Sequence, residues 1–267
     1  MKTARYRESN PPSPVELRKG SSSLLLRDKS RSNKVRRRKV AVFDIDGTIF
    51  RSSLLIELLE ALILEGVFRA NVRKTYARQY SRWHDRKDSY EKYIDAVVRA
   101  FDSHIKGVRE KDFAPVADRV ISFHRNRVYR YTRDLLKELK KKDYYLLAIS
   151  HSPMYVVGRF GKRLGFNKVY GRLLELGADK RFTGKGIYED LIFDKAKVLK
   201  RAVEKEHLTL RDSVGVGDTE SDIPFLKIVE KPICFNPNAE LYKAAKRNKW
   251  RVVVERKDMI YKMTNNR

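Results

Sequence analysis

The chain has 267 residues, 60 Lys and Arg against 34 Asp and Glu, a formal net charge of +26, and 35% of its residues charged. That is too polar for a membrane-spanning protein, while 42% hydrophobic and 10% aromatic residues suffice for a core and exclude wholesale disorder. Such a length suits one domain of roughly 150 residues with a substantial insertion, or two small domains. A single cysteine, Cys234, excludes an intrachain disulfide and a Cys-based zinc site. The chain therefore reads as cytoplasmic.

Residues 1–39 are predicted to be a basic disordered tail. Within residues 1–40, 13 Lys and Arg stand against 3 Asp and Glu, a net +10, with Pro11, Pro12, Pro14 and a Ser21-Ser22-Ser23 run and no sustained apolar period to offset ordering entropy. Its apolar patch, Leu24 to Leu26, is far shorter than the roughly 7 to 15 residues of a secretory signal. The tail is expected to associate weakly with polyanions, RNA or anionic lipid.

From Val40 the pattern changes. Apolar runs at 40–45, 144–150, 168–176, 213–217, 232–235 and 251–255 read as strands, with helical patterns at 131–142, 154–164, 194–207, 222–229 and 239–248. Alternation of this kind predicts an α/β fold, a Rossmann-like doubly wound parallel sheet. Residues 51–126 carry helical patterns without a strand and are expected to form an all-helical cap. The core then spans 40–50 and 127–256, and 257–267 form a C-terminal tail. The longest apolar run, residues 53–68, is broken by Glu57, Glu60 and Glu65, short of the roughly 18 apolar residues a membrane span needs.

Ligands of open parallel sheets bind at the carboxyl ends of the strands. Those ends carry Asp44-Ile45-Asp46-Gly47-Thr48, Ser150-His151-Ser152-Pro153 and Gly217-Asp218-Thr219-Glu220-Ser221-Asp222, and Lys195 opens the helix before the last of them. Four carboxylates, a hydroxyl and an ammonium are thereby expected at one edge. Gathered carboxylates need a cation, and hard oxygen donors favour Mg²⁺ over zinc. One carboxylate can attack phosphorus, a second can serve as acid and base, and the hydroxyl and ammonium can hold phosphoryl oxygens.

AVFDIDGTIF, LLAISHSP, a Lys followed by AKVL, and VGVGDTESDIPFL resemble, in order, the four motifs of the haloacid dehalogenase (HAD) superfamily of phosphohydrolases. TGKG, FNPNAELYKAAKRNKW and the helical insertion resemble its phosphoserine-phosphatase-like subfamily. The resemblance implies a HAD-like core and a phosphatase that acts on a small phosphorylated substrate through an aspartyl-phosphate. Asp44 becomes the nucleophile and a metal ligand, and Asp46 the general acid/base, its carbonyl also facing the metal. Thr48 fixes the motif's geometry within the substrate site. Ser150 binds the phosphoryl group, Lys195 neutralises its charge, Asp218 ligates Mg²⁺, and Asp222 supports the metal or its waters. Phosphoserine phosphatase proper, a phosphotransferase and a nucleic-acid-associated binding protein on the same fold are the competing readings.

Phosphoserine-specific members of the family carry an amine-binding Glu about nine residues after the nucleophile and glycines after the second-motif Ser; Ser53 and His151-Ser152-Pro153 stand there. Phosphoserine is therefore not expected to be distinctly preferred, with Glu57 the alternative amine-binding carboxylate. Leu54, Leu55, Ile56, Leu58, Leu59, Leu62, Ile63 and Leu64 are expected to give the substrate mainly apolar contacts, and Arg51 and Arg69 to attract an anionic leaving group. Trp83, Tyr76, Tyr80 and Tyr93 read as packing residues, and His84, His104, His124 and His207 as surface or structural ones. Removing residues 1–36 should leave turnover of a small phosphomonoester nearly unchanged while weakening RNA or anionic-vesicle binding at low salt. Steady-state rates of the full and shortened chains check this.

Overall fold

The computed structural model describes residues 37–263. Its first strand, β1 (Lys39–Phe43), takes in the last residue assigned to the tail; the rest of the tail expectation lies outside the described residues. Helices α1 (Leu54–Leu64), α2 (Ala77–His84), α3 (Tyr90–Ile105) and α4 (Glu110–His124), with a 3₁₀ segment at Ala70–Thr75, form the cap, and α5 (Arg130–Lys141) leads into β2 (Tyr145–Pro153). The chain continues through α6 (Met154–Leu164), β3 (Lys168–Leu176), β4 (Phe182–Ile187), α7 (Glu189–Ile192), α8 (Lys195–Lys205) and β5 (Thr209–Gly217). It ends with α9 (Ile223–Leu226), β6 (Lys231–Phe235), α10 (Ala239–Asn248), β7 (Arg251–Arg256) and β8 (Met259–Met263).

The eight strands lie in the order β4-β3-β2-β1-β5-β6-β7-β8. β3, β2, β1, β5, β6 and β7 run parallel, and both edges are antiparallel hairpins, β3–β4 and β7–β8. Neither edge strand was expected. The C-terminal tail assignment is corrected for 259–263, where β8 pairs with β7 from Val252↔Met263 to Arg256↔Met259. FTGKGI and MIYKM are mixed, short sequences that close a sheet edge, so they lack the continuous apolar run of a buried parallel strand.

Side chains alternate along β1, so Val40 and Val42 enter one core with Val198 and Leu199 of α8 and Leu241 of α10, while Ala41 and Phe43 enter another. That second core runs without a break from the sheet into the cap, joining Phe43 and Phe160 to Leu58, Leu62, Val97, Phe101, Phe113 and Val116. Tyr76 and Tyr93 are buried and Trp83 stacks on Tyr93 at 5.2 Å, consistent with packing. Among the described residues no helix is long and apolar enough to cross a membrane.

Phe113 joins three elements. Its ring meets Phe182 at 4.9 Å, Tyr155 at 5.2 Å and Phe101 at 6.4 Å. Phe113→Ala should destabilise the protein by about 3–5 kcal/mol through lost contacts and a residual cavity, read as a lower urea midpoint with an unchanged slope.

Candidate active site

Three chain segments deliver the polar residues to the carboxyl edge of the sheet. β1 ends at Phe43, and the turn behind it passes through Gly47 at φ +77°. A Cβ there would lie 2.0 Å from Asp218 Oδ2, so the position is reserved for glycine by backbone conformation and by space. β2 carries Ser150 to the same edge beside β1. Asp194 caps α8 by accepting from the Lys197 amide at 3.0 Å, which starts the helix at Lys195 and turns that side chain inward. In the loop after β5, Asp222 Oδ2 accepts from the amides of Asp218 (2.9 Å) and Thr219 (3.1 Å).

The ammonium of Lys195 lies 2.7 Å from Asp44 Oδ1 and 2.5 Å from Asp222 Oδ1, with Lys195 2% and Asp44 4% exposed. Carboxylate oxygens of Asp44, Asp218 and Asp222 lie within 4.8 Å of one another. Asp44 Oδ2 is buried without a hydrogen-bond partner. Three carboxylates gathered this closely, all hard oxygen donors, fit a small divalent cation such as Mg²⁺.

Asp46 stands beside this trio instead of within it. Its Oδ1 accepts from the Leu54 amide at 2.5 Å and its Oδ2 from Ser150 Oγ at 2.6 Å. Asp46, rather than Ser53, thus caps the first helix of the cap, and the positive end of that helix faces a catalytic-motif carboxylate. Ser150 Oγ also accepts from the Ser152 amide at 2.9 Å. Thr48 donates to Asp218 Oδ1 at 3.1 Å while its carbonyl accepts from Thr132. Its hydroxyl thus holds the Asp218 carboxylate, in keeping with a geometry-fixing place in the turn.

The pattern describing haloacid dehalogenase-like hydrolases matches residues 41–227. The chain belongs to that family. It is 24% identical to the inhibition of morphological differentiation protein of Streptomyces azureus, over 81% of this chain and 78% of that protein. It is also 24% identical to histidinol-phosphatase of Neisseria meningitidis serogroup C, over 81% and 98%. A solved phospho-aspartyl intermediate analogue of phosphoserine phosphatase shares the fold, with a TM-score of 0.57 at 22% identity, over 84% of this chain and 96% of that one. This HAD-like hydrolase is accordingly an enzyme with a phosphoserine-phosphatase-like fold and phosphatase-named relatives.

Its electrostatics follow from burial. The Asp44 carboxyl is pushed up to about 8 by desolvation, with Lys195 pulling it down and Asp222 and Asp46 adding to the rise. Asp218 is held well above the usual carboxylate range by burial and by Asp44 and Asp222. Burial also raises Asp46, against the hydrogen bonds from Ser150 and Leu54. Burial alone would discharge Lys195, but Asp222 and Asp44 outweigh it and keep the ammonium charged.

The expectation of an apolar substrate surface on the cap is overturned. Leu54, Leu55, Leu58, Leu59, Leu62 and Ile63 are buried in the core that joins cap to sheet, and Leu64 is 80% exposed, so this run builds the cap and does not form an apolar substrate wall. Glu57 already pairs with His124 at 3.1 Å and Arg127 at 2.7 Å. Sequence reasoning passed over Tyr90, whose hydroxyl feels Asp46, Asp218 and Asp44; only its place at the start of a cap helix hinted at this. His151, weighed from the sequence and assigned no catalytic role, has its Nε2 buried without a partner and its ring pushed down to about 4 by burial and Lys195. A cavity of about 830 Å³ lies elsewhere, between Phe68, His104, Lys106 and Arg181.

A carboxyl raised in the folded state holds a proton that the unfolded chain releases. Its contribution to stability is therefore greatest below the ordinary value of 3.8 and is lost as pH rises toward about 8. A bound divalent cation takes the proton's place. Mg²⁺ should raise the melting temperature more at pH 7.5 than at pH 5, and Asp218→Asn should remove most of that difference; scanning calorimetry at both pH values checks it.

Proposed function

We propose that the chain is a Mg²⁺-dependent phosphomonoester hydrolase acting on a small phosphorylated metabolite through an aspartyl-phosphate at Asp44. The observation that carries this reading is the partnerless, buried Asp44 Oδ2 beside the Lys195 ammonium. That oxygen is the free nucleophile, and its neighbour Oδ1 is pinned by the ammonium. Oδ2 attacks phosphorus, the bond from phosphorus to the ester oxygen breaks, and protonated Asp46 gives its proton to the departing alcohol. The raised pKa of Asp46 supports its acid role. Ser150 exchanges Asp46 for a phosphoryl oxygen as substrate arrives, which removes a hydrogen bond that favours ionised Asp46 and so keeps Asp46 protonated until the leaving group needs its proton.

In the second half, ionised Asp46 takes a proton from water as that water attacks phosphorus, and the bond to Asp44 breaks to release phosphate. Asp44, Asp218 and, in support, Asp222 hold the Mg²⁺. When bound, the ion offsets charge on the phosphoryl oxygens and on the gathered carboxylates. Asp222 serves chiefly through Lys195 and the backbone amides, since its oxygens are engaged there. The residue 51–126 cap covers the site and limits water during transfer. The name of the histidinol-phosphatase relative supports a phosphomonoester substrate. Engagement of Glu57 by His124 and Arg127 supports the absence of a distinct phosphoserine preference.

Release of inorganic phosphate from p-nitrophenyl phosphate should require Mg²⁺, vanish in EDTA and return on adding Mg²⁺. Asp44→Asn should keep the fold and lower turnover by at least about 10³-fold, roughly 4 kcal/mol of barrier, because an amide cannot form the covalent intermediate. More than about a tenth of the wild-type rate in that variant would remove Asp44 as nucleophile.

A further inference from the structure

Among the described residues, four charged side chains are buried: Asp44, Asp222, Lys195 and Arg172. Three of them form the site. Arg172 is the buried charge that the mechanism leaves unused, and it lies on β3, where it registers with Pro153 at the end of the Ser150-His151-Ser152-Pro153 segment. The preceding Gly171 packs so closely on that segment that a Cβ would lie 3.1 Å from the Ser152 carbonyl and 3.0 Å from the Met154 Cα.

The guanidinium, 9% exposed, joins two parts of the chain. It reaches Asp102 Oδ1 of cap helix α3 at 2.6 Å, and Glu189 Oε1 at the start of α7 at 2.9 to 3.0 Å. It also lies over the Phe193 ring at 6.0 Å, and Phe193 meets the His151 ring edge-on at 5.3 Å. A continuous set of contacts therefore runs from the cap, through Arg172 and Phe193, to the residue after Ser150. Buried ion pairs return little net stability once desolvation is counted, whereas a rigid two-sided fork specifies geometry.

We propose that Arg172 is a positioning residue for phosphoryl transfer, tying cap helix α3 to the strand beside the Ser150 segment so that the segment keeps its phosphate-binding geometry while the cap is seated. This rests on the assignment of Ser150 as a phosphoryl ligand. Asp102 and Phe193 act through the same link. Lys in place of Arg172 keeps the charge but cannot grip Asp102 and Glu189 together.

The test uses the full chain with Asp102→Asn, Arg172→Lys and Arg172→Met. It measures p-nitrophenyl phosphate kinetics with Mg²⁺, inorganic phosphate binding by calorimetry, and melting temperature, each normalised to folded protein. Asp102→Asn and Arg172→Lys should each lower kcat/KM at least about tenfold and weaken phosphate binding at least about fivefold. Their combination should cost little more than the worse single change, because both break one link. Phosphate affinity and kcat/KM within about twofold of wild type in folded Asp102→Asn and Arg172→Lys would overturn the proposal, whatever happens to melting temperature. Should Arg172→Met fail to fold, the near-isosteric Asp102→Asn decides. An inactive wild type would overturn the phosphatase reading instead, and phosphate calorimetry on the same variants would still judge the link.

Discussion

The site depends on how buried negative charge is tolerated. Asp44 and Asp222 converge, buried, at the edge of the sheet, where water screens them little, and the Lys195 ammonium between them keeps that arrangement from being prohibitively costly. The ammonium touches one oxygen of each and leaves Asp44 Oδ2 free. One cation thus serves structure and chemistry together. The remaining imbalance falls on Asp218 and Asp44, whose raised proton affinities mark where a divalent ion would gain most.

Cap and core are coupled at several levels. Asp46, in a catalytic motif, caps the first cap helix through the Leu54 amide. The large apolar cluster passes from the sheet into the cap, and the α3–α4 junction bonds to the β3–β4 hairpin by backbone contacts between Gly107 and Phe182, Val108 and Phe182, and Glu110 and Lys180. A cap fastened this way has spent its apolar residues on its own packing. What remains near the carboxylates is polar or aromatic, with Tyr90 the cap residue whose hydroxyl feels their charge.

The local sequence was strongly informative about strands and motif residues. Val40 to Phe43, Leu146 to Ile149 and Val214 to Val216 are continuous apolar runs because parallel strands are buried on both faces, so even runs of three or four such residues leave little choice of structure. Asp44, Asp46, Ser150, Lys195, Asp218 and Asp222 stand at the ends of these runs or at a helix start, where an apolar stretch turning polar marks the sheet edge. The edge strands β4 and β8 were not legible, since strands paired on one side carry no such signature.

By itself the sequence determined the α/β alternation, the helical insertion and the convergence of the motif carboxylates, because these follow from local periodicity and from side chains at strand ends. Only the tertiary structure decided which hydrogen bonds those side chains make. Thr48 turns to Asp218, Asp46 to Leu54 and Ser150, and Glu57 to His124 and Arg127 across 67 and 70 positions of chain. It also decided that Leu54, Leu55, Leu58, Leu59 and Leu62 of α1 face inward and that Arg172 reaches Asp102 across 70 positions. Partners so distant in sequence are chosen by packing and burial, which depend on the whole chain and leave no trace in any one segment.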